Sequence, residues 1–322
     1  MEFPDNTAPI PESTFGQEAF LRRWYALRER GEVGLTNLFA APMTNASWDS
    51  CRRTGAWLGL LLFSAMKRRR MVAVHNLQLA FPGIAQRRAL QIARRSAQNF
   101  GMTFCEFLHL NGASPQSIHD YVTVEGEEHL QAGLERGKGL ILLTAHFGNW
   151  EALGARAAQM FPLTVVARPT SNPGVQSHLD RIRRGVNMEL ISSAQGARPA
   201  LRALRQNKAL AILPDQYAGP NGLVLPFFGH NTSVWPSVAH LAMMSGATVL
   251  PSFGVRQKPW MTNGRFIAKI FPGYQVSAGN DKNQIVREGT LRMIAELENI
   301  IHQHPEQWMW LHRRWRAADL GK

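Results

Sequence analysis

Leu140, Ile141, Leu142 and Leu143 form an apolar run with no polar break, led in by Gly137 and Gly139 and closed by Thr144. Four residues are too few for a stable helix, and a strand whose every side chain is apolar has to be covered on both faces. A sheet covered on both faces needs helices above and below it, and the chain supplies them. Strands are expected at 163–168, 188–192, 209–213 and 248–253, with a further one at 265–271. Helical stretches fall between them at 150–160, 174–184, 199–206 and 236–244. An amphipathic helix at 285–302 carries Ile294, Leu297 and Ile301 on one side. This alternation predicts an α/β fold with a mixed, largely parallel central sheet flanked by helices and preceded by a helical N-terminal region.

The turn after the first apolar run carries the chemistry. His146 stands just past the strand, and Glu151 falls in the first turn of the helix that follows Gly148 and Asn149. Were both on one regular helix, five residues would rotate them about 140° apart. With His146 outside the helix, the turn can swing the imidazole back towards the carboxylate. Glu151 would then fix the tautomer of His146 and leave the other ring nitrogen free as a general base. A bare His-x4-Glu spacing is far more often a loop histidine and a solvated helix glutamate, so its surroundings have to decide.

Those surroundings resemble a known family. The run from His146 to Glu151 is similar to the His-x4-Asp/Glu signature of the glycerolipid acyltransferase superfamily, in the form typical of the late lipid A biosynthesis acyltransferases, the lauroyl and myristoyl transferases. Upstream, the basic cluster at Arg68, then Asn76 and Leu77, then Phe81 and Pro82 resemble that family's pattern. So does the stretch from Val124 to Leu130 with Gly137 to Gly139. Downstream, Val165 to Arg168, Leu213 to Gln216, Pro226 to Gly229, Pro305 to Trp308 and Arg313 to Arg316 follow in the family's order, so the likeness runs over roughly residues 55–316. It implies residues 1–50 as an N-terminal extension, partly disordered, 51–120 as a helical membrane-proximal region and 121–322 as an α/β acyltransferase domain.

The resemblance implies transfer of a fatty acyl chain from an acyl carrier protein thioester to a hydroxyl of a lipid A precursor, with His146 and Glu151 catalytic and neither cofactor nor metal required. For substrate binding it points to Arg168, Asp215, Gln216, Asn149, Phe227 and Phe228. Arg168 would clamp an acceptor phosphate or stabilise the thioester oxyanion. Asp215 would anchor Arg168 or a substrate amide, or serve simply as a turn former. Phe227 and Phe228 would wall an acyl channel or pack in the core. The histidines at 109, 178, 240 and 302 show no metal spacing and are read as structural.

Charge and hydropathy bear on partners. The chain has 36 Lys and Arg against 23 Asp and Glu, a net +13, which suits an acidic carrier protein or an anionic lipid surface. Members of the family usually carry an N-terminal spanning helix. In residues 1–50 no apolar run approaches the roughly 20 residues that a span requires. The apolar stretch 55–66 is short and bracketed by Arg52, Arg53 and Lys67 to Arg70. It places Trp57, Leu58, Leu61, Leu62 and Ala65 on one face, fit for a bilayer interface or for an ordinary core. The expectation is peripheral or monotopic attachment at the cytoplasmic face of the bacterial inner membrane. A basic aromatic strip of Trp308, Trp310, Trp315, Arg313, Arg314 and Arg316 is expected at a headgroup-facing edge or as a solvated terminus. Cys51 and Cys105 give neither a disulfide framework nor metal spacing. No Gly-x-Ser-x-Gly elbow or phosphate-binding Gly-Lys-Ser/Thr loop is present, which speaks against serine-hydrolase and nucleotide-driven chemistry. Two other readings are an acyltransferase for another glycolipid, such as a phosphatidylinositol mannoside, or for a specialised metabolite. The non-enzymatic one is a basic lipid- or nucleic-acid-binding protein.

Overall fold

The computed structural model describes residues 40–257, 266–276 and 279–316, with Gly31, Gly34 and Leu38 before them. Most of the extension expected at 1–50 therefore lies outside the described residues. Helical residues at 40–44 are followed by α1 (Trp48–Ala65), α2 (Lys67–Ala80), α3 (Gln86–His109) and α4 (Pro115–Tyr121). Ser47 caps α1 by accepting the Ser50 amide at 3.2 Å, and Ser114 caps α4, whose first residue is proline. α1 lies against α3 through small residues. A Cβ on Gly59 would stand 2.1 Å from the Ala97 carbonyl oxygen, and one on Gly101 would stand 2.1 Å from that of Gly55. Only bare backbone permits so close a crossing.

This contact turns the apolar stretch 55–66 inside out relative to a simple amphipathic reading. Gly55, Ala56, Gly59 and Phe63 face inward, while Trp57 is 74% exposed and Leu61 58% exposed, with Leu62 and Met66 also outside. Among the described residues, no helix is long and apolar enough to cross a membrane.

The α/β part runs β1 (Val122–Glu125), α5 (Glu127–Glu135), β2 (Leu140–Leu143), α6 (Trp150–Met160), β3 (Leu163–Ala167), α7 (Pro173–Gly185), β4 (Met188–Ser192), α8 (Ala197–Arg205) and β5 (Ala209–Ile212). A hairpin of β6 (Leu223–Phe227) and β7 (His230–Val234) follows, then α9 (Ser237–Ser245), β8 (Thr248–Arg256), β9 (Phe266–Ile270) and α10 (Lys282–Gln303). The seven-stranded sheet has the order β1-β9-β8-β2-β5-β3-β4. Its neighbours are parallel except β8 and β9, so the sheet is mixed and largely parallel, as expected. β2 and β5, fully buried, are its centre, with Leu143 in register with Ile212. One face is covered by a core that joins Phe63, Leu77 and Ile92 of the early helices to Ile141, Leu143, Leu210 and Val249 of the sheet and to Met293, Leu297 and Ile301 of α10. The other face packs Leu140, Leu142 and Leu250 against Phe107, Ala155 and Ile182.

Candidate active site

β2 is followed by buried Thr144 and Ala145, and His146 is the first residue past the sheet whose side chain reaches solvent. The loop beyond it is held on three sides. The Gly148 amide donates to the Gln307 carbonyl at 2.9 Å and the Met309 amide to the His146 carbonyl at 3.1 Å, pairing the loop with the C-terminal segment. From α3, Asn99 and Thr103 donate to the Gly148 carbonyl at 3.1 and 2.6 Å. Gly148 has φ +54°, and a Cβ there would meet the Gly254 carbonyl oxygen at 1.7 Å, so the loop presses directly on β8. Behind it, Arg256 is paired with Glu106, which also accepts from Tyr121 Oη at 2.6 Å and Asn149 Nδ2 at 2.7 Å. The buried guanidinium stays charged, because Glu106 outweighs the effect of burial.

Asp215 completes the site. It follows β5, and the pairing of β5 with β2 brings it to His146 across the strand ends. Its side chain is 2% exposed. Oδ1 lies 2.8 Å from His146 Nδ1, while Oδ2 accepts the His146 amide at 3.0 Å and Trp308 Nε1 at 2.9 Å. Burial opposes charge on the imidazole, and the charge and hydrogen bond of Asp215 overcome it, holding the His146 pKa above its ordinary value. Burial acts on Asp215 too and is likewise outweighed, by His146 first, so its carboxyl stays below the usual range. With Nδ1–H directed at a carboxylate, His146 presents Nε2 as an acceptor, to which the Gln216 side-chain amide donates at 3.5 Å.

Glu151 does not make the hydrogen bond to His146 that the five-residue spacing suggested. It is the second residue of α6, and its carboxylate is taken by Arg183 of α7, with Nη2 to Oε1 at 2.6 Å and Nε to Oε2 at 3.2 Å. Trp150 Nε1 adds a third donor at 3.2 Å. Glu151 reaches His146 by charge alone, as one of the influences that raise its pKa. Arg183 is held charged by Glu151 against the effect of burial and stands over the Phe107 ring at 5.2 Å.

His146, Trp150, Glu151, Arg168, Arg183 and Gln216 all line one open pocket of about 1150 Å³ at the C-terminal ends of β2, β3, β4 and β5, where sites in parallel sheets gather. Its deeper wall is apolar, formed by Leu142, Leu153, Gly154, Ala157, Leu163 and Met188. Arg168 stands on the rim, exposed, one residue beyond β3. Asp215 anchors His146 and makes no hydrogen bond to Arg168.

Three expected substrate contacts lie elsewhere. Asn149 is fully buried. It caps α6 by accepting the Ala152 amide at 2.9 Å and donates to Glu106, so it builds the loop. Phe227 packs at 0% exposure among Phe228, Trp308 and Trp315, and Phe228 packs on Phe81, His302 and Trp310; neither lines the pocket. The basic aromatic strip at the C-terminus also divides: Trp308, Trp310, Trp315 and Arg314 are buried, and only Arg313 and Arg316 remain outside. Arg183 and the part played by Trp308 were not foreseen. Trp308 belongs to a motif visible in the sequence, whereas nothing in the run Arg181, Ile182, Arg183, Arg184 marks one arginine for Glu151. Among the described residues, no group of three or more His, Cys, Asp and Glu is placed to hold a metal ion.

Residues 33–317 match the family model described as bacterial lipid A biosynthesis acyltransferase. The chain is 27% identical over 273 residues to the lipid A biosynthesis palmitoleoyltransferase of Escherichia coli (strain K12), covering 83% of this chain and 85% of that protein. To the lipid A biosynthesis lauroyltransferase of the same strain it is 29% identical over 278 residues, 84% and 86% of the two chains. It is also 23% identical over 235 residues to the phosphatidylinositol mannoside acyltransferase of Mycolicibacterium smegmatis (strain ATCC 700084 / mc(2)155), 71% and 74% of the two.

Proposed function

The chain belongs to the bacterial lipid A biosynthesis acyltransferase family, and from that premise we propose that it moves a fatty acyl group from an acyl carrier protein thioester to a hydroxyl of a lipid A precursor, with His146 as general base. The observation that carries this reading is the imidazole fixed by Asp215 at 2.8 Å, in the lining of a large pocket with an apolar wall.

In the reaction, Nε2 of His146 takes the proton of the acceptor hydroxyl as that oxygen attacks the thioester carbon. Asp215 keeps the proton of Nδ1 in place and stabilises the imidazolium that forms, which general base catalysis requires. The tetrahedral intermediate collapses by breaking the carbon–sulfur bond, and the departing thiolate recovers the proton from Nε2. An ester and a free thiol result. The Gln216 amide, close to Nε2, is placed to donate to the developing oxyanion. The ion pair of Glu151 and Arg183 forms a charged wall beside the base and keeps a guanidinium near His146 neutralised. The deeper apolar wall takes the acyl chain.

The acyl carrier protein as donor is supported by the excess of 36 cationic over 23 acidic residues. Peripheral attachment to the cytoplasmic face of the inner membrane is supported by the outward large apolar residues of α1, Trp57, Leu61 and Leu62, beside the basic start of α2. A second acceptor, a phosphatidylinositol mannoside, is favoured by the likeness to the mycobacterial relative. The test is incubation with lauroyl, myristoyl and palmitoleoyl carrier-protein thioesters and either a tetra-acylated lipid A precursor or a phosphatidylinositol mannoside, read by mass spectrometry. One added acyl mass on the lipid A precursor is expected. Transfer only to the mannoside would move the acceptor assignment, and transfer to neither would remove the enzymatic reading.

A further inference from the structure

A second concave surface lies beside the catalytic pocket. The first residues of α2 and the segment after α10 enclose a groove of about 470 Å³ lined by Arg68, Arg69, Val72, His312, Arg313 and Arg316. The two walls are fastened together. Arg69 Nη1 donates to the Leu311 carbonyl at 3.3 Å, and Asn76 Nδ2 donates to the carbonyls of Trp310 and His312 at 2.9 and 2.7 Å. His312 Nε2 accepts the Tyr217 amide at 3.1 Å, so the groove is tied to the loop that carries Asp215 and Gln216. Burial pushes the His312 pKa down to about 4, and its ring is neutral at ordinary pH.

Four guanidinium groups therefore line one groove, and among the described residues no Asp or Glu lines it with them. Among the described residues, none of the four makes an ion pair. Like charges gathered within a Debye length of about 8–10 Å repel one another, and an anion seated among them relieves that repulsion. Arg316 Cζ stands 4.0 Å from the centre of the Tyr217 ring, a cation–π contact that holds the guanidinium at the groove. Arg316 also lines the catalytic pocket, so the groove and the pocket meet at one side chain.

We propose that this groove is a phosphate subsite, in which Arg68, Arg69, Arg313 and Arg316 hold a phosphate carried by the substrate whose reacting group lies at His146. The assignment rests on the acyl-transfer reading for its substrate. Planar guanidinium groups match the paired oxygens of a phosphate, and a monoester, with a charge of about −1.5 to −2, suits four of them better than a diester does. The acceptor lipid and the carrier-protein donor are the two sources of a phosphate, and since the pantetheine arm of the donor is joined through a diester, a monoester on the acceptor is the better match.

The test uses the full chain with Arg68→Gln/Arg313→Gln, two exposed residues, beside Arg136→Gln/Arg205→Gln, which removes the same charge from exposed sites outside the groove. KM and kcat are measured with a phosphorylated acceptor, with the same acceptor after phosphatase treatment, and with varied donor. Loss of a charge-assisted contact predicts a rise of about tenfold or more in KM for the phosphorylated acceptor. The treated acceptor and the control variant should stay near wild type. A rise in donor KM instead assigns the phosphate to the donor. Titration with inorganic phosphate, followed by ³¹P line broadening, reads the groove without turnover. If no acceptor is acylated, the acyl-transfer reading fails, and broadening lost only in the groove variant still supports the subsite. Broadening equal in all three proteins, or absent from wild type, overturns it, as do unchanged KM values in an active enzyme.

Discussion

Replacing Asp215 by asparagine changes one atom and reverses the logic of the base. Oδ2 of Asp215 faces two donors, the His146 amide at 3.0 Å and Trp308 Nε1 at 2.9 Å, so the carbonyl oxygen of an asparagine has to point there. Its NH₂ group then faces His146 Nδ1, which becomes an acceptor and drives the ring proton to Nε2. The imidazole is left in the tautomer that cannot take a proton from the acceptor. General base catalysis of this kind contributes about 10²- to 10⁴-fold, so kcat/KM should fall by that much with the fold intact. The pH profile supplies a second reading. Only neutral His146 accepts a proton, so the wild-type rate falls as pH drops through a pKa that Asp215 holds above the ordinary histidine value. Without the carboxylate that acidic limb moves to lower pH. The assay is release of thiol from an acyl thioester in the presence of acceptor, across pH 5 to 9. An Asp215→Asn enzyme within about threefold of wild type, with an unmoved limb, would rule out Asp215 as the partner that sets the tautomer of His146.

Three further outcomes follow from the same geometry. Glu151→Gln leaves the Arg183 guanidinium uncompensated beside His146, a cost on the order of 1–3 kcal/mol, so kcat/KM should drop about ten- to a hundredfold. Arg183→Gln added to it should restore part of the loss, which it would not do if Glu151 acted by orienting His146. Arg256→Met strands the Glu106 carboxylate in the interior, and urea denaturation should show a loss of about 3–5 kcal/mol. Ala157→Leu narrows the pocket's apolar wall, and since each buried methylene is worth about 0.8 kcal/mol, preference should shift to donors roughly two to four carbons shorter, measured by competition between thioesters.

The sheet was legible where burial on both faces forces an unbroken apolar run. β2 and β5 were located to within a residue because Leu140–Leu143 and Ala209–Ile212 have no polar position to hide. β1 escaped because Val122–Glu125 alternates and ends in a charge, as an edge strand does. The β6–β7 hairpin escaped for another reason. Its two-residue turn is Phe228 and Gly229, at φ +51° and +74°, and phenylalanine is a rare choice for a left-handed position. In the site, the sequence places His146, Arg168 and Asp215 each at or just past the end of an expected strand, but does not say which of them meet. That depends on β2 pairing with β5 across 69 positions of chain, a fact of sheet order that no local pattern encodes. Glu151 was misjudged because spacing along one turn of chain looks like proximity, whereas its position in α6 gives its carboxylate to Arg183 of the neighbouring helix α7.

The role of His146 as the base of an acyl transfer is tested by a single incubation of myristoyl carrier-protein thioester and tetra-acylated lipid A precursor with wild-type protein or with His146→Ala, followed by mass spectrometry of the lipid. Wild type should add one acyl mass, and His146→Ala should form that product at least about 10²-fold more slowly. Equal acylation by the two proteins would contradict it.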